Sequence, residues 1–313
     1  MNIKISNFCT IKRNVIFFIA LFLLSLPYLN SKAGNYENDS LKCRKNILIY
    51  PSIAAYSITM YGLYDLWYKD YPKASFHFFN DNAGWHHIDK IGHATTAFHV
   101  GYTGINACRW AGYSEKKSIW VGGLSGLFFL TSIEIFDGFS KEWGFSNGDI
   151  LANTIGASLL ISQGIAFRNI FITPKISYHN TKYAQYAPDK LGKNGLERMI
   201  KDYNGQTYWL SVNIKQIAFQ HTKFPEWLCI SFGYGADGMI TGYGNPDTYN
   251  GKALPHFDEY TQFYISTDID LRKIKTRNKI VNTIKNAIGF IKIPLPTVEF
   301  NSNSKTKYYL FFN

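Results

Sequence analysis

The apolar residues of this 313-residue chain change their period near residue 206. Before that point they form long segments at 47–67, 89–107, 118–137 and 149–168. Segments of about twenty apolar residues suit helices that are buried in a bundle or lodged in a bilayer. After that point apolar and polar residues alternate. Tyr208, Leu210, Val212 and Ile214 alternate with Trp209, Ser211, Asn213 and Lys215, and Leu228, Ile230, Phe232 and Tyr234 repeat the pattern. So do Phe263, Ile265, Thr267 and Ile269, and residues 306–312 read as a last strand. Period two with aromatic and β-branched residues predicts strands. Ile280, Ile284, Ala287, Ile288 and Ile291 fit one face of an amphipathic helix, stopped by Pro294 and Pro296. The expected class is α+β: an antiparallel bundle of about four apolar helices, then a small antiparallel β-sheet domain with one amphipathic helix.

The N-terminus reads as a signal peptide over residues 1–33. Lys4, Lys12 and Arg13 form its basic start, 15–27 its apolar run, and Ser31-Lys32-Ala33 a cleavage site before Gly34. An uncleaved anchor is the alternative. Residues 34–46 form a polar leader, 47–168 the helical bundle domain, 169–206 a linker rich in Tyr and Lys, and 207–313 the β-rich domain.

The formal charge is +11; removing residues 1–33 takes away Lys4, Lys12, Arg13 and Lys32 and no acid, leaving +7. The charges are scattered and no nucleic-acid motif is present. A mild basic excess suits an anionic envelope surface. The expected partner is an envelope membrane or envelope protein, with no nucleic acid and no nucleotide cofactor. Cys43, Cys108 and Cys229 lack metal-site spacing. They allow one disulfide, with Cys43–Cys108 the preferred pair, or two buried thiols and one exposed.

Two of the four apolar segments meet the length and apolarity expected of membrane spans. Threading them as spans would put Arg109, Lys116, Lys117, Arg168, Lys175 and Lys182 on the outer side. Cytoplasmic loops should carry that excess. The favoured reading is an exported bundle, periplasmic or membrane-associated, and the alternative is an integral inner-membrane helical bundle.

Acidic and histidine residues mark the ends of three of these segments: Asp89 and His93, Glu134 and Asp137, Asp149 and Asn153. Each pair is three or four residues apart and shares a helix face. An up-down-up order brings all six to one end of the bundle. Buried charges must be paired, hydrogen-bonded or metal-bound. Asp89 and Asp149 start helices, where negative charge is favoured, whereas Glu134 and Asp137 end one, where it is not. Lys90, His93, His86, His87, Lys141 or a cation could offset them. Asp89 also reads as an N-cap, and Ser146-Asn-Gly-Asp149 as a capping box. The set Asp89, Lys90, His93, Glu134, Asp137, Asp149 and Asn153 is therefore a buried polar network, a ligand site or an acid/base site. Candidate metal ligands are His93, Glu134, Asp137 and Asp149, with His86 and His87 weaker, and the implied cofactor is a divalent metal ion.

Gly233-Tyr-Gly235-Ala-Asp-Gly238 matches a dinucleotide fingerprint literally, but no helix pattern follows it. Gly123-Leu-Ser125-Gly-Leu127 breaks the nucleophile-elbow pattern at its last position. The stretches Phe78–Trp85, Asp89-Lys-Ile-Gly-His93, Glu134–Gly144 and Ser146–Gly156 resemble the domain of unknown function family 2279, predicted periplasmic lipoproteins of bacteria. Lys201–Ser211 and Gly233–Met239 resemble a version with a carboxy-terminal extension. The chain departs from that description in lacking a lipobox cysteine. A looser pattern, D-K-x-x-H with S-x-x-D-x-x-x-N-x-x-G, is similar to VanZ-like membrane proteins linked to glycopeptide resistance, which implies a membrane-embedded four-helix arrangement.

Two functions follow as expectations. One is a cell-envelope protein that binds or scaffolds. The other is a metal-assisted hydrolase of an envelope lipid or phosphoester, with Lys90 stabilising developing negative charge.

Overall fold

The computed structural model describes residues 37–69, 71–303 and 306–312; the signal peptide expected over 1–33 lies outside them. The chain divides into two compact units. A helical unit takes the residues up to 80, with 96–168 and 278–287; a sheet unit takes 81–95, 169–277 and 288–313.

In the helical unit, α1 runs over Glu37–Leu63 and continues as a wider turn at Tyr64–Tyr68. It starts ten residues ahead of the expected position, because Leu41, Lys42, Arg44 and Lys45 are good helix formers. Pro51 consequently sits in the helix interior instead of its first turn. Helix α2 is Ile88–Trp110, and its residues from 96 onward belong to this unit. Helix α3 is Glu115–Asp137, with a π-type turn at Ser118–Gly122, and α4 is Asn147–Ala166. All three were legible as apolar segments. Helix α5, Lys279–Ala287, is the amphipathic one; it stops at Ala287, before the prolines expected to end it.

Small residues set the crossings. A Cβ on Gly126 of α3 would lie 2.0 Å from the Ala97 carbonyl oxygen of α2, and one on Gly104 would lie 2.5 Å from Gly122 O. On the other side of α3, a Cβ on Gly123 would lie 2.6 Å from Ile161 of α4. Backbones this close exclude any larger side chain and let the helices touch along their length.

The sheet unit is built on six antiparallel strands in the order β1-β2-β3-β6-β7-β8. They are Ile172–Tyr178, Gln206–Asn213, Leu228–Asp237, Tyr260–Ile269, Thr297–Asn301 and Lys307–Tyr309; Thr248–Tyr249 (β4) and Lys252–Ala253 (β5) form a separate hairpin. The expected linker 169–206 therefore supplies a strand. Pro174 and Lys175 hide β1 from a periodicity reading, and β1 tolerates proline because it is the first strand of the order. Strand β7 follows two prolines and is too short to show a period.

The sheet reverses the usual polarity of its two faces. One face carries Ser211, Ser231, Ser266 and Thr297 in one cross-strand row and Lys175, Trp209, Gly233, Tyr264 and Glu299 in the next. These residues are buried. The opposite face carries Leu210, Phe232, Ile265, Val298 and Tyr308 in one row, and all of these except Val298 are exposed. That face is covered at one end, where Ile88 and Ile91 pack on Tyr208, Ala236 and Met239, and Pro174 of β1 and Val212 of β2 are buried on it as well.

Cys43, Cys108 and Cys229 are free thiols, the first exposed and the other two buried. The preferred Cys43–Cys108 disulfide is not formed.

Candidate functional site

The sequence-predicted polar residues are divided between the two units. Asp89, Lys90 and His93 belong to the sheet unit with His86 and His87, while Glu134, Asp137, Asp149 and Asn153 belong to the helical unit.

In the sheet unit the chain approaches α2 through three successive left-handed residues, Trp85 (φ 53°), His86 (φ 48°) and His87 (φ 65°). Each costs about 1–2 kcal/mol for a residue with a Cβ. The turn is held in place by specific contacts. Trp85 N donates to Gly242 O at 2.9 Å, Tyr234 Oη donates to His86 O at 2.8 Å, and the Trp85 ring packs on Tyr203 at 5.2 Å. His86 Nε2 lies 3.1 Å from Glu259 Oε2, and His87 is exposed.

The turn delivers Asp89 into the first turn of α2. Tyr203 Oη donates to its Oδ1 at 2.6 Å, Lys90 Nζ lies 3.1 Å from its Oδ2, and His93 Nε2 lies 3.9 Å from Oδ1. Lys90 also reaches Asp81, at 2.7 Å. Burial opposes ionisation of Asp89, but the His93 and Lys90 charges and the Tyr203 hydroxyl outweigh it and hold the carboxyl below its ordinary value. The result is a fixed carboxylate beside an imidazole one turn away. Sequence reasoning missed Tyr203 and Asp81. Tyr203 does lie within the Lys201–Ser211 stretch that carries the family resemblance.

In the helical unit, Glu134 is 1% exposed and Asp149 3%. Glu134 Oε2 accepts from Ser146 N at 3.2 Å, and Ser146 Oγ accepts from Asp149 N at 3.1 Å. A carboxylate at the unfavourable C-terminal end of α3 is thus placed on the amide-rich start of α4, where the second helix dipole offsets the first. Asp137 accepts from Tyr68 Oη at 2.7 Å. The Ser146 amide and the Tyr68 hydroxyl thus offset the two carboxyls at the end of α3. Asn153 is fully buried on the next turn of α4 after Asp149.

A third polar centre, inside the sheet unit, was not legible at all. Lys175 Nζ lies 2.7 Å from Asp268 Oδ2, which also accepts from Ser211 and Ser231. Lys292 Nζ donates to Ser266 Oγ, Thr267 O and Ile293 O at 3.1, 2.9 and 2.8 Å. Burial pushes Lys292 down to about 8, with Asp268 pulling it up and Lys175 pushing it further down. Asp270 is buried too, yet its ion pair with Arg272 at 2.9 Å keeps its carboxyl below the ordinary value.

Chemically, Asp89 with His93 offers one carboxylate and one imidazole to a cation, and Glu134 with Asp149 offers two carboxylates joined through Ser146. All of these residues lie within 77–162, the stretch that matches the family described as "Predicted periplasmic lipoprotein (DUF2279)". No curated protein and no solved structure matches the chain, so the likeness to VanZ-like proteins finds no support. The family description agrees with an exported chain, periplasmic or membrane-associated. Residues 77–162 are thus similar to the DUF2279 family, the predicted periplasmic lipoproteins.

Proposed function

We propose that this is a cell-envelope protein that acts by binding or scaffolding, with its helices bundled and seated in an envelope membrane. The observation that carries this reading is the apolar surface of the helical unit. Ile53 on α1, Phe128 on α3 and Leu151 on α4 are 59%, 70% and 61% exposed, and they have many apolar neighbours on the same helices. Soluble proteins rarely leave apolar patches that large uncovered. The stretch Glu115–Asp137 is long and apolar enough to cross a membrane. The close Gly–Gly and Gly–Ala crossings are the packing that helices use where lipid removes the hydrophobic drive between them. Within this reading Glu134, Asp137 and Asp149 fasten helix ends. The partner is the membrane or a protein within it.

Alkaline carbonate extraction of membranes from cells making the full chain tests the seat. Retention in the pellet is expected, and release to the supernatant overturns it. Steady metal-dependent hydrolysis of a phosphoester by the purified protein would end the binding reading.

A second reading keeps the metal-assisted hydrolase, with His93, Glu134, Asp137 and Asp149 as ligands to a divalent ion and Lys90 as electrostatic support. What favours it is that Asp89 is held ionised beside His93 in the sheet unit, while Glu134 and Asp149 are buried carboxyls linked through Ser146 in the helical unit. Elemental analysis of the purified chain decides. Absence of metal near unit stoichiometry, not restored by added zinc, manganese or calcium, counts against it.

A further inference from the structure

The sheet unit carries its own reason to meet a membrane. We infer that the exposed apolar face of the six-stranded sheet lies against the acyl chains of one leaflet of an anionic phospholipid membrane, with its basic end in the headgroups. The face inversion comes first. Phe232, Phe263 and Phe300 are 48%, 55% and 45% exposed, whereas Lys175, Asp268, Lys292 and Glu299 on the other face are 2% exposed or less. A sheet in water buries its apolar face. A sheet with a polar, ion-paired inner face and an apolar outer face has the polarity of β-structure in lipid.

The dimensions limit the depth. The rows run from Ile230 and Thr267, through Phe232 and Ile265, to Phe263, whose row partner Tyr234 is half-buried. Three rows two residues apart span roughly 13 Å at about 3.3 Å per residue. That is under half of the roughly 30 Å hydrocarbon core. Charged loops bound these rows at both ends and exclude strand-first insertion, so the face lies flat in one leaflet and does not cross it.

Charge fixes the orientation. The loops at the end where β2 and β6 finish, 214–227 and 270–277, carry Lys215, Lys223, Arg272, Lys273, Lys275 and Arg277 against Glu226 and Asp270. The loops at the opposite end, 179–205 and 238–259, carry six basic and six acidic residues. The basic end also exposes Trp227, and Phe219 there stacks on Phe224 at 4.7 Å. Basic side chains beside aromatic ones are the composition that anchors a protein at an anionic interface.

The test places p-benzoylphenylalanine at Phe232, at Ile265 or, as a control on the neutral end, at His256. The full chain is reconstituted in vesicles of phosphatidylcholine with phosphatidylglycerol and irradiated. Acyl-chain adducts are expected at 232 and 265 and not at 256. Removing the charges of Lys223, Lys275 and Arg277 by Gln substitution should lower the yield by about fivefold per charge. Phe232→Lys should leave the circular dichroism intact and abolish the adduct at 265. No lipid adduct, or cross-links to a second copy of the chain, overturns the inference; a yield indifferent to the charge removals overturns the anionic assignment. The inference deepens the membrane reading but fails separately. A chain held only by its helical unit would stay with the vesicles and give no adduct at 232.

Discussion

Lys175 and Asp268 form an ion pair, 2.7 Å from Nζ to Oδ2, with the two side chains 1% and 0% exposed. A pair so deep is a weak source of net stability, but breaking it leaves a buried charge behind. Asp268→Asn should destabilise the chain by about 3–5 kcal/mol. Replacing both partners together, Lys175→Met with Asp268→Leu, should recover most of that loss. Denaturant midpoints followed by the fluorescence of Trp209, whose ring lies under Lys292, read the difference. Equal losses in the single and double variants would mean that the surrounding serines matter more than the charges.

Lys292 gives a pH signature. Its folded value, about 8, is below the roughly 10.4 of an exposed lysine. Below pH 8 it is protonated in both states. Between about 8 and 10.4 the unfolded chain holds the proton and the folded chain does not, so stability rises with pH across that window. Lys292→Met should remove the rise. Unfolding midpoints from about pH 7 to about pH 10, wild type against variant, check the sign.

Tyr203→Phe removes a hydroxyl that favours the ionised Asp89. A hydrogen bond to a charged group contributes about 1.5–3 kcal/mol, and a loss on that scale is expected at neutral pH. The Asp89 carboxyl should also move up towards its ordinary value. Because a depressed carboxylate stabilises the fold above its unfolded value and loses that contribution as pH falls through the folded one, the variant should lose less stability on acidification than wild type. Carboxyl-carbon NMR titration and acid unfolding measure the two effects.

Gly126→Ala should cost about 1–3 kcal/mol by overpacking, since its Cβ meets the Ala97 carbonyl oxygen. Gly195→Ala, where a Cβ meets nothing within 4 Å, should instead stabilise by about 0.4–1 kcal/mol. Thermal unfolding of the two variants side by side is the measurement. Similar behaviour would show that α2 and α3 do not cross as closely as described.

Glu134→Gln keeps an acceptor for Ser146 N and removes the charge facing the start of α4. A loss of about 0.3–2 kcal/mol is expected, with membrane retention unchanged. If the purified wild-type chain carries metal and Glu134→Gln loses it while staying folded, the hydrolase reading gains and the fastening role is displaced.

Element type was decided locally. The spans of α2, α3 and α4 and the alternation in β2, β3 and β6 were readable because hydrophobic period is a property of neighbours along the chain. The acid and histidine positions were readable for the same reason: charges inside apolar runs stand out. Strands β1 and β7 were not, because their identity comes from partners, β2 at one side of the order and β6 in its middle, and Pro174 and Pro296 blur the local pattern.

What each charged residue does was decided by tertiary structure alone. Glu134 needs an offset at a helix end, which the residue order states; that Ser146 N supplies it depends on where a second helix begins. Tyr203 lies 114 residues from Asp89, and no local rule joins them. Most telling is the sheet. Alternation in the sequence separates its residues into two faces but does not say which face is buried. Lys175, Asp268 and Lys292 can turn inward only because segments distant in sequence give each of them partners: Asp268 and Lys175 each other, Asp268 also Ser211 and Ser231, and Lys292 Ser266. Burial of charge depends on partners, and partners are set by the fold.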